Sequence, residues 1–277
     1  MNALQLFEKI KAKRSFLCIG LDSDLNKIPE LLLTKPDPLF EFNKAIIDTT
    51  APYVVAYKIN SAFYELHGAS GWNSFQKTIK YIRTNHPDIF TIADVKRGDI
   101  ANTAKMYART FYKTLDFDAV TLSPYMGHDS IEPFLNWDNK WSIILALTSN
   151  SSFADFQMFE NPTTGRKLFE EVVTKSMHWG TENNTMYVVG ATRADMLAQI
   201  RNLAPEHFLL VPGVGEQGGS LSQVAKNGMN HRCGLLVNSS RGIIYADNTI
   251  RFAGTARTAA MMLQKEMEEL LANANLI

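Results

Sequence analysis

The chain has 277 residues, 45% hydrophobic and 20% charged, and its 28 lysines and arginines balance its 28 aspartates and glutamates. That balance excludes a broad electrostatic footprint for nucleic acid or an anionic membrane, so an anionic ligand has to be held locally. The composition is that of a chain with a sizeable core rather than of a disordered one. No stretch approaches the roughly 18 unbroken apolar residues of a membrane span, and the opening MNALQLFEKIKAKRS carries charge through its apolar positions, so a cytoplasmic protein is expected.

In chain order, short β-rich apolar runs occur at FLCIGLD (16–22), VVAYKIN (54–60), FTIADVK (90–96), AVTLS (119–123), SIILALT (142–148), MYVVGA (186–191), FLLVP (208–212) and LLVNS (235–239). Runs this continuously apolar suit parallel strands buried on both faces. Between them lie residues at helical spacing: Leu39, Phe42 and Ile46; Trp72, Phe75, Ile79 and Ile82; Ile100, Thr103, Tyr107 and Phe111; and finally Ala256, Ala260, Leu263, Met267 and Leu270. Eight alternations of strand and helix without an intervening linker predict an α/β fold, a (β/α)8 TIM barrel forming one domain over residues 1–277. One connection, residues 149–166, is longer and richer in turn residues than the rest, and reads either as a mobile lid or as an ordered insertion. Cys18 and Cys233 have neither a CxxC nor a Cys/His spacing and read as reduced core thiols.

A barrel of this type builds its active site where the strands end, so the polar residues closing the apolar runs are the informative ones. They are Asp22, Lys58 and Asn60, Asp94 and Lys96, Ser123, Thr148 and Ser149, Thr192, Pro212 and Gly213, and Asn238 and Ser239. Residues two apart on a strand share a face, which points Asp94 and Lys96 together and Lys58 and Asn60 together. Asp99 follows at the turn into a helix that continues with Asn102 and Thr103. A structural salt-bridge network, with Asp99 as a helix cap, is the alternative to a catalytic cluster. Four converging charges weigh against it, because burying each costs several kcal/mol unless geometry or function compensates.

Strands seven and eight run into GVGEQGG (213–219) and NSSRG (238–242), the position at which this fold commonly holds phosphate on backbone amides. Arg241 supplies a cation there and Gln217 an amide donor. His67, His128 and His231 form no HExxH or comparable metal spacing, so no metal site is expected.

DVKRGDI at 94–100 followed by ANTA, Lys58 closing the second strand, PGVGEQGG on the seventh and Arg241 after the eighth together resemble the orotidine 5'-phosphate decarboxylases, in particular their longer microbial subgroup. The resemblance spans nearly the whole chain. It implies decarboxylation of orotidine 5'-phosphate to uridine 5'-monophosphate, the last step of de novo UMP biosynthesis, by a homodimer with shared sites and no metal or organic cofactor. It makes Lys58, Asp94, Lys96 and Asp99 a charged catalytic tetrad, with Asp99 entering the partner subunit's site. Asp22 and Lys58 would meet the ribose hydroxyls with Thr103 of the partner. Ser149 would bond the pyrimidine, Gln217 would bridge base and phosphate, and Gly218, Arg241 and Gly242 would hold the phosphate. Compared with the family's shorter members, the fifth loop is longer here and the arginine follows Ser240 rather than a glycine.

Two rivals stand beside that reading. Hexulose-phosphate synthases and ketogulonate-phosphate decarboxylases resemble the same pattern but use magnesium, whose ligand on strand two would be a carboxylate where this chain has Lys58. A barrel that binds phosphate without catalysis would have no need of all four tetrad residues.

Overall fold

Eight parallel strands, β1 (Leu17–Gly20), β2 (Ala56–Asn60), β3 (Phe90–Arg97), β4 (Ala119–Leu122), β5 (Trp141–Leu147), β6 (Thr185–Val189), β7 (Phe208–Pro212) and β8 (Leu235–Ser239), close into a barrel in sequence order. The computed structural model describes residues 1–191, 194–214 and 219–277. β1 pairs with β8 through Leu17 and Val237, and with β2 through Cys18 and Ala56, so no edge is left unpaired. Each expected apolar run contributes a strand, and β1, β4, β6 and β8 are buried throughout.

Helices return outside the barrel and bury an apolar stripe against it. Helix Pro38–Thr50 starts at Asp37, whose side chain accepts from Phe40 N, with proline at its first position, and buries Leu39, Phe42 and Ile46 as the spacing predicts. Helix Gly68–Asn85 buries Phe75, Ile79 and Ile82, while Trp72 stacks on Phe75 with centroids 5.0 Å apart. The N-terminal helix Ala3–Lys13 opens with a reciprocal capping box between Asn2 and Gln5. The last helix, Phe252–Asn273, buries Ala256, Ala260 and Met267.

One helical face differs from expectation. Helix Ala101–Arg109 docks through Ala104 and Ala108, whereas Ile100 and Thr103 point to solvent. Alanines let the helix lie close to the barrel, and a π-turn at Thr110–Thr114 then shifts the phase so that Phe111 and Tyr112 enter the core. Of the residues expected at helical spacing, Ile100 and Thr103 therefore face outward, while Tyr107 and Phe111 pack inward.

The long connection after β5 is an ordered insertion. It carries a short 3-10 helix, Ser151–Asp155, and a bridge between Glu160 and Lys167, and Asn161 and Thr164 both bond Glu171 on the next helix. Gln157 clamps Thr148 at the end of β5, accepting from its backbone N–H at 2.8 Å and donating to its hydroxyl at 2.7 Å.

Opposite the site, at the start of β7 and β8, the buried guanidinium of Arg201 donates to five carbonyls, those of Ala204, Pro205, His207, Gly228 and Gly234. It staples two helices to two strands without a carboxylate partner among the described residues, and burial lowers its pKa to about 10. Beside it His207 is buried against Tyr187, neither ring nitrogen has a partner among the described residues, and burial pushes the imidazole down to about 4. A folded pKa below the unfolded value of about 6.5 means that the unfolded chain binds the proton first. Stability therefore falls as pH drops from about 6.5 towards about 4, by up to about 3 kcal/mol from this group alone. Urea denaturation across that range is expected to show a shallower acid-side loss in His207→Phe than in the parent; parallel profiles would contradict it.

Candidate active site

Going round the mouth of the barrel, the strand order sets β8 beside β1, β1 beside β2 and β2 beside β3. The residues closing these strands line a cavity of about 280 Å³. It takes in Asp22, Lys58, Asn60, Asp94 and Lys96 on one arc, Thr148 and Ser149 opposite, and Pro212, Gly213, Asn238, Ser239, Arg241 and Gly242 at the remaining ends. Leu145, Val188 and Leu210 give it an apolar wall.

Four of these side chains form a line of alternating charge. Lys58 Nζ lies 3.3 Å from Asp22 Oδ1 and 2.9 Å from Asp94 Oδ2, and Lys96 Nζ lies 2.7 Å from Asp94 Oδ1. Burial opposes charge on Lys58, but Asp22 and Asp94 outweigh it and hold the ammonium above the ordinary lysine range. Burial likewise opposes ionisation of Asp94, and Lys58 and Lys96 outweigh it, holding the carboxyl well below the ordinary carboxylate range. The Thr121 hydroxyl donates to Asp94 Oδ1 at 3.1 Å, adding a third partner to that carboxylate. Losing one side of such a buried pair costs about 3–5 kcal/mol, because the remaining charge is stranded. The Lys96 side chain, by contrast, is half exposed and projects into the cavity.

Lys96 reaches Asp94 by a different route from simple alternation along a strand. The β3–β4 register shifts between Ala93 and Arg97, and Lys96 has φ +45°, in the left-handed region that side chains with a Cβ seldom adopt. Thr121 Oγ1 accepts from the backbone N–H of both Val95 and Lys96 at 2.9 Å and so holds the bulge in place. One threonine thus fixes the backbone that aims Lys96 and also bonds the carboxylate that Lys96 pairs with.

Asp99 and Thr103 stand apart from this chain's own cavity. The Asp99 carboxylate accepts from the next backbone N–H, that of Ile100, at 2.8 Å, and it does not cap the following helix, whose start has no side-chain cap. Thr103 is exposed two residues into that helix. Ser123 is not part of the cavity lining, and Thr192, Gln217 and Gly218 lie outside the described residues.

Close backbone approach shapes the other rims. A Cβ on Gly20 would fall 1.9 Å from Ser240 Oγ, so glycine there lets β1 meet the turn that carries Arg241. A Cβ on Gly190 would press to within 2.9 Å of Ser149 Cβ, so β6 seats Ser149 against the cavity only without a side chain. Among the described residues no three His, Cys, Asp or Glu side chains converge as a metal site, and no helix is long and apolar enough to cross a membrane. Cys18 and Cys233 are free and buried, and burial raises both thiols to about 12.

Sequence reasoning passed over Thr121, the apolar wall and Ser240. Thr121 carried a usable signal, a hydroxyl in the middle of an apolar strand next to the one bearing DVKRGDI. Leu145, Val188 and Leu210 carried none, since an apolar residue within a strand reads as core whether it faces packing or ligand.

Comparison with known proteins places the chain in a family. Residues 15–254 match the family described as Orotidine 5'-phosphate decarboxylase / HUMPS. The orotidine 5'-phosphate decarboxylase of Phocaeicola vulgatus is 58% identical over 271 residues, covering 98% of this chain and 99% of its own. The solved OMP decarboxylase of Leishmania donovani superposes with a TM-score of 0.83 at 35% identity, over 98% of each chain. The UMP synthase of the same organism superposes at 0.84 with 36% identity, over 96% of this chain but 55% of that longer one. The chain belongs to the orotidine 5'-phosphate decarboxylase family.

Proposed function

We propose a route by which this carboxy-lyase of pyrimidine biosynthesis converts orotidine 5'-phosphate into uridine 5'-monophosphate and CO2, one in which Lys96 is the proton donor and no metal takes part. The observation that carries it is the alternating line Asp22, Lys58, Asp94, Lys96, which ends on an ammonium projecting into the cavity. Breaking the bond between C6 and the carboxylate leaves an electron pair in an sp2 orbital that the ring cannot delocalise. A fixed positive charge at that carbon is the stabilisation required. Lys96 supplies it and then transfers a proton from Nζ to C6, recovering its own from water. Each tenfold in rate requires about 1.4 kcal/mol less barrier, so orientation by Asp94 and anchoring of the rest of the nucleotide contribute alongside this one charge.

The absence of a metal from this route is supported by the charge balance of the cluster. Asp22 and Asp94 are already neutralised by Lys58 and Lys96, and a divalent cation at that point would face two ammonium groups. At the β7 and β8 ends, Arg241 and the backbone around Gly213 and Gly242 provide an anion-binding rim, and Gln217 and Gly218 extend the same glycine-rich segment. Asp22 and Lys58 lie between that rim and Lys96, where the ribose would sit, and Ser149 faces them across the cavity, in reach of the base.

The homodimer with shared sites is supported by the one tetrad member that faces away. Asp99 and Thr103 project outside their own cavity, and Ile100, Met106, Tyr125 and Met126, on the loops and helix around them, expose large apolar side chains, Tyr125 at 89%. In the proposed dimer this surface packs against its twin, Asp99 approaches the open side of the other subunit's Lys96, and Thr103 reaches that subunit's ribose.

Lys96→Ala is expected to reduce turnover by at least about 10³-fold while leaving UMP affinity within a few-fold. The ultraviolet absorbance change of orotidine 5'-phosphate, followed in chelator, checks the first, and calorimetry with UMP checks the second; near-normal turnover would overturn the assignment. Mixing Lys96→Ala with Asp99→Ala protein tests the shared site. Random subunit exchange is expected to restore about one quarter of the parent sites, and no recovery in verified heterodimers would refute it.

A further inference from the structure

We propose that Tyr245 is a positioning residue that links the phosphate rim to the ribose-facing pair Asp22 and Lys58; this rests on the reading of Asp22 and Lys58 as the ribose contacts. Tyr245 closes the short helix Arg241–Ile244 that follows β8, and its backbone N–H donates to Arg241 O at 3.1 Å. Its side chain crosses to the loop after β1. There the hydroxyl donates to Asp22 O at 2.8 Å and accepts from Asp24 N at 2.7 Å, bracketing Ser23. The ring that carries it stacks on Phe42, with centroids 5.8 Å apart and planes 16° apart, and Phe42 stacks in turn on Phe252.

These contacts make one rigid link between two ends of the ligand. The segment bearing Arg241 fixes the ring, and the ring's hydroxyl fixes the peptide group that follows Asp22 and the one after it, holding the backbone on the C-terminal side of the Asp22 side chain. Asp22 Oδ1 sits 3.3 Å from Lys58 Nζ, a longer separation than the 2.9 Å between Lys58 and Asp94, so its carboxylate is the looser member of that pair. The inner side of the same loop is held separately, by Leu21 N on Lys58 O at 2.8 Å, Tyr64 Oη on Leu21 O at 2.9 Å and Ser23 Oγ on Asn43 Oδ1 at 2.5 Å. Those contacts anchor the loop to β2 and the outer helices. Tyr245 anchors it to the segment that meets the phosphate. Burial raises the Tyr245 hydroxyl above the ordinary tyrosine value, which keeps it neutral and able both to donate and to accept.

Removing a single hydroxyl tests this. Tyr245→Phe keeps the stacked ring and removes both bonds to the β1 loop. The measurement compares competitive inhibition by UMP with that by 2',3'-dideoxyuridine 5'-monophosphate, which keeps base and phosphate and lacks both ribose hydroxyls, with melting temperature recorded for each protein. The parent enzyme is expected to prefer UMP, and the variant to lose about 3- to 10-fold of that preference, the scale of one hydrogen bond's net contribution, through weaker UMP binding with dideoxynucleotide binding unchanged. Equal weakening of both ligands, or a lower melting temperature with the preference intact, would make Tyr245 a merely structural residue and overturn the proposal. Asp22→Asn separates the two layers. If it abolishes the preference while Tyr245→Phe does not, the link alone is wrong. If neither variant moves the preference, the ribose role of Asp22 fails and the link fails with it.

Discussion

A carboxylate with almost no access to water is the constraint around which this site is arranged. Asp94 keeps its charge because two ammonium groups and a threonine hydroxyl satisfy it, and each of those partners arrives from a different strand or from a backbone bent to deliver it. Lys58 is fixed by Asp94 and in turn fixes Asp22, so the Asp22 end of the cluster inherits its geometry from the buried end. A barrel suits this demand: parallel strands bring Lys58 on β2, Asp94 and Lys96 on β3 and Thr121 on β4 to one ring, with Asp22 on the loop after β1 beside them.

The sequence was informative where burial was complete and less so where it was partial. Strands enclosed on both faces must be apolar throughout, and all eight could be read for that reason. The sequence marks Ala101–Arg109 as helical but not its buried face, because the helix docks through Ala104 and Ala108 while Ile100 and Met106 face outward. Asp94 and Lys96 of DVKRGDI do lie together, but alternation along a strand is the wrong reason for their proximity: the bulge at Lys96 is set by Thr121, on a neighbouring strand. Thr121, Gln157 and Tyr245 share a property that hides them from pattern reading. Each works largely by bonding backbone groups, and a backbone leaves no mark on sequence at the position it occupies.

In the proposed binding mode phosphate, ribose and base fall to successive parts of the rim, and the fold supports each part differently. The β8 turn approaches β1 closely because Gly20 has no side chain, and Tyr245 then ties that turn to the loop bearing Asp22. On the base side, Gly190 makes room for Ser149, and the insertion after β5 grips Thr148 through Gln157. A long loop that might have been a detachable ornament is built into the wall of the cavity.

The left-handed backbone at Lys96 has a further meaning for how this protein divides its stability. A residue with a Cβ in that region costs on the order of 1 kcal/mol or more relative to glycine, and the surrounding hydrogen bonds must hold it there. The backbone there suits a glycine, whereas the proposed chemistry asks for a lysine. Under the proposed role of Lys96 as proton donor, stability and activity would pull that position in opposite directions.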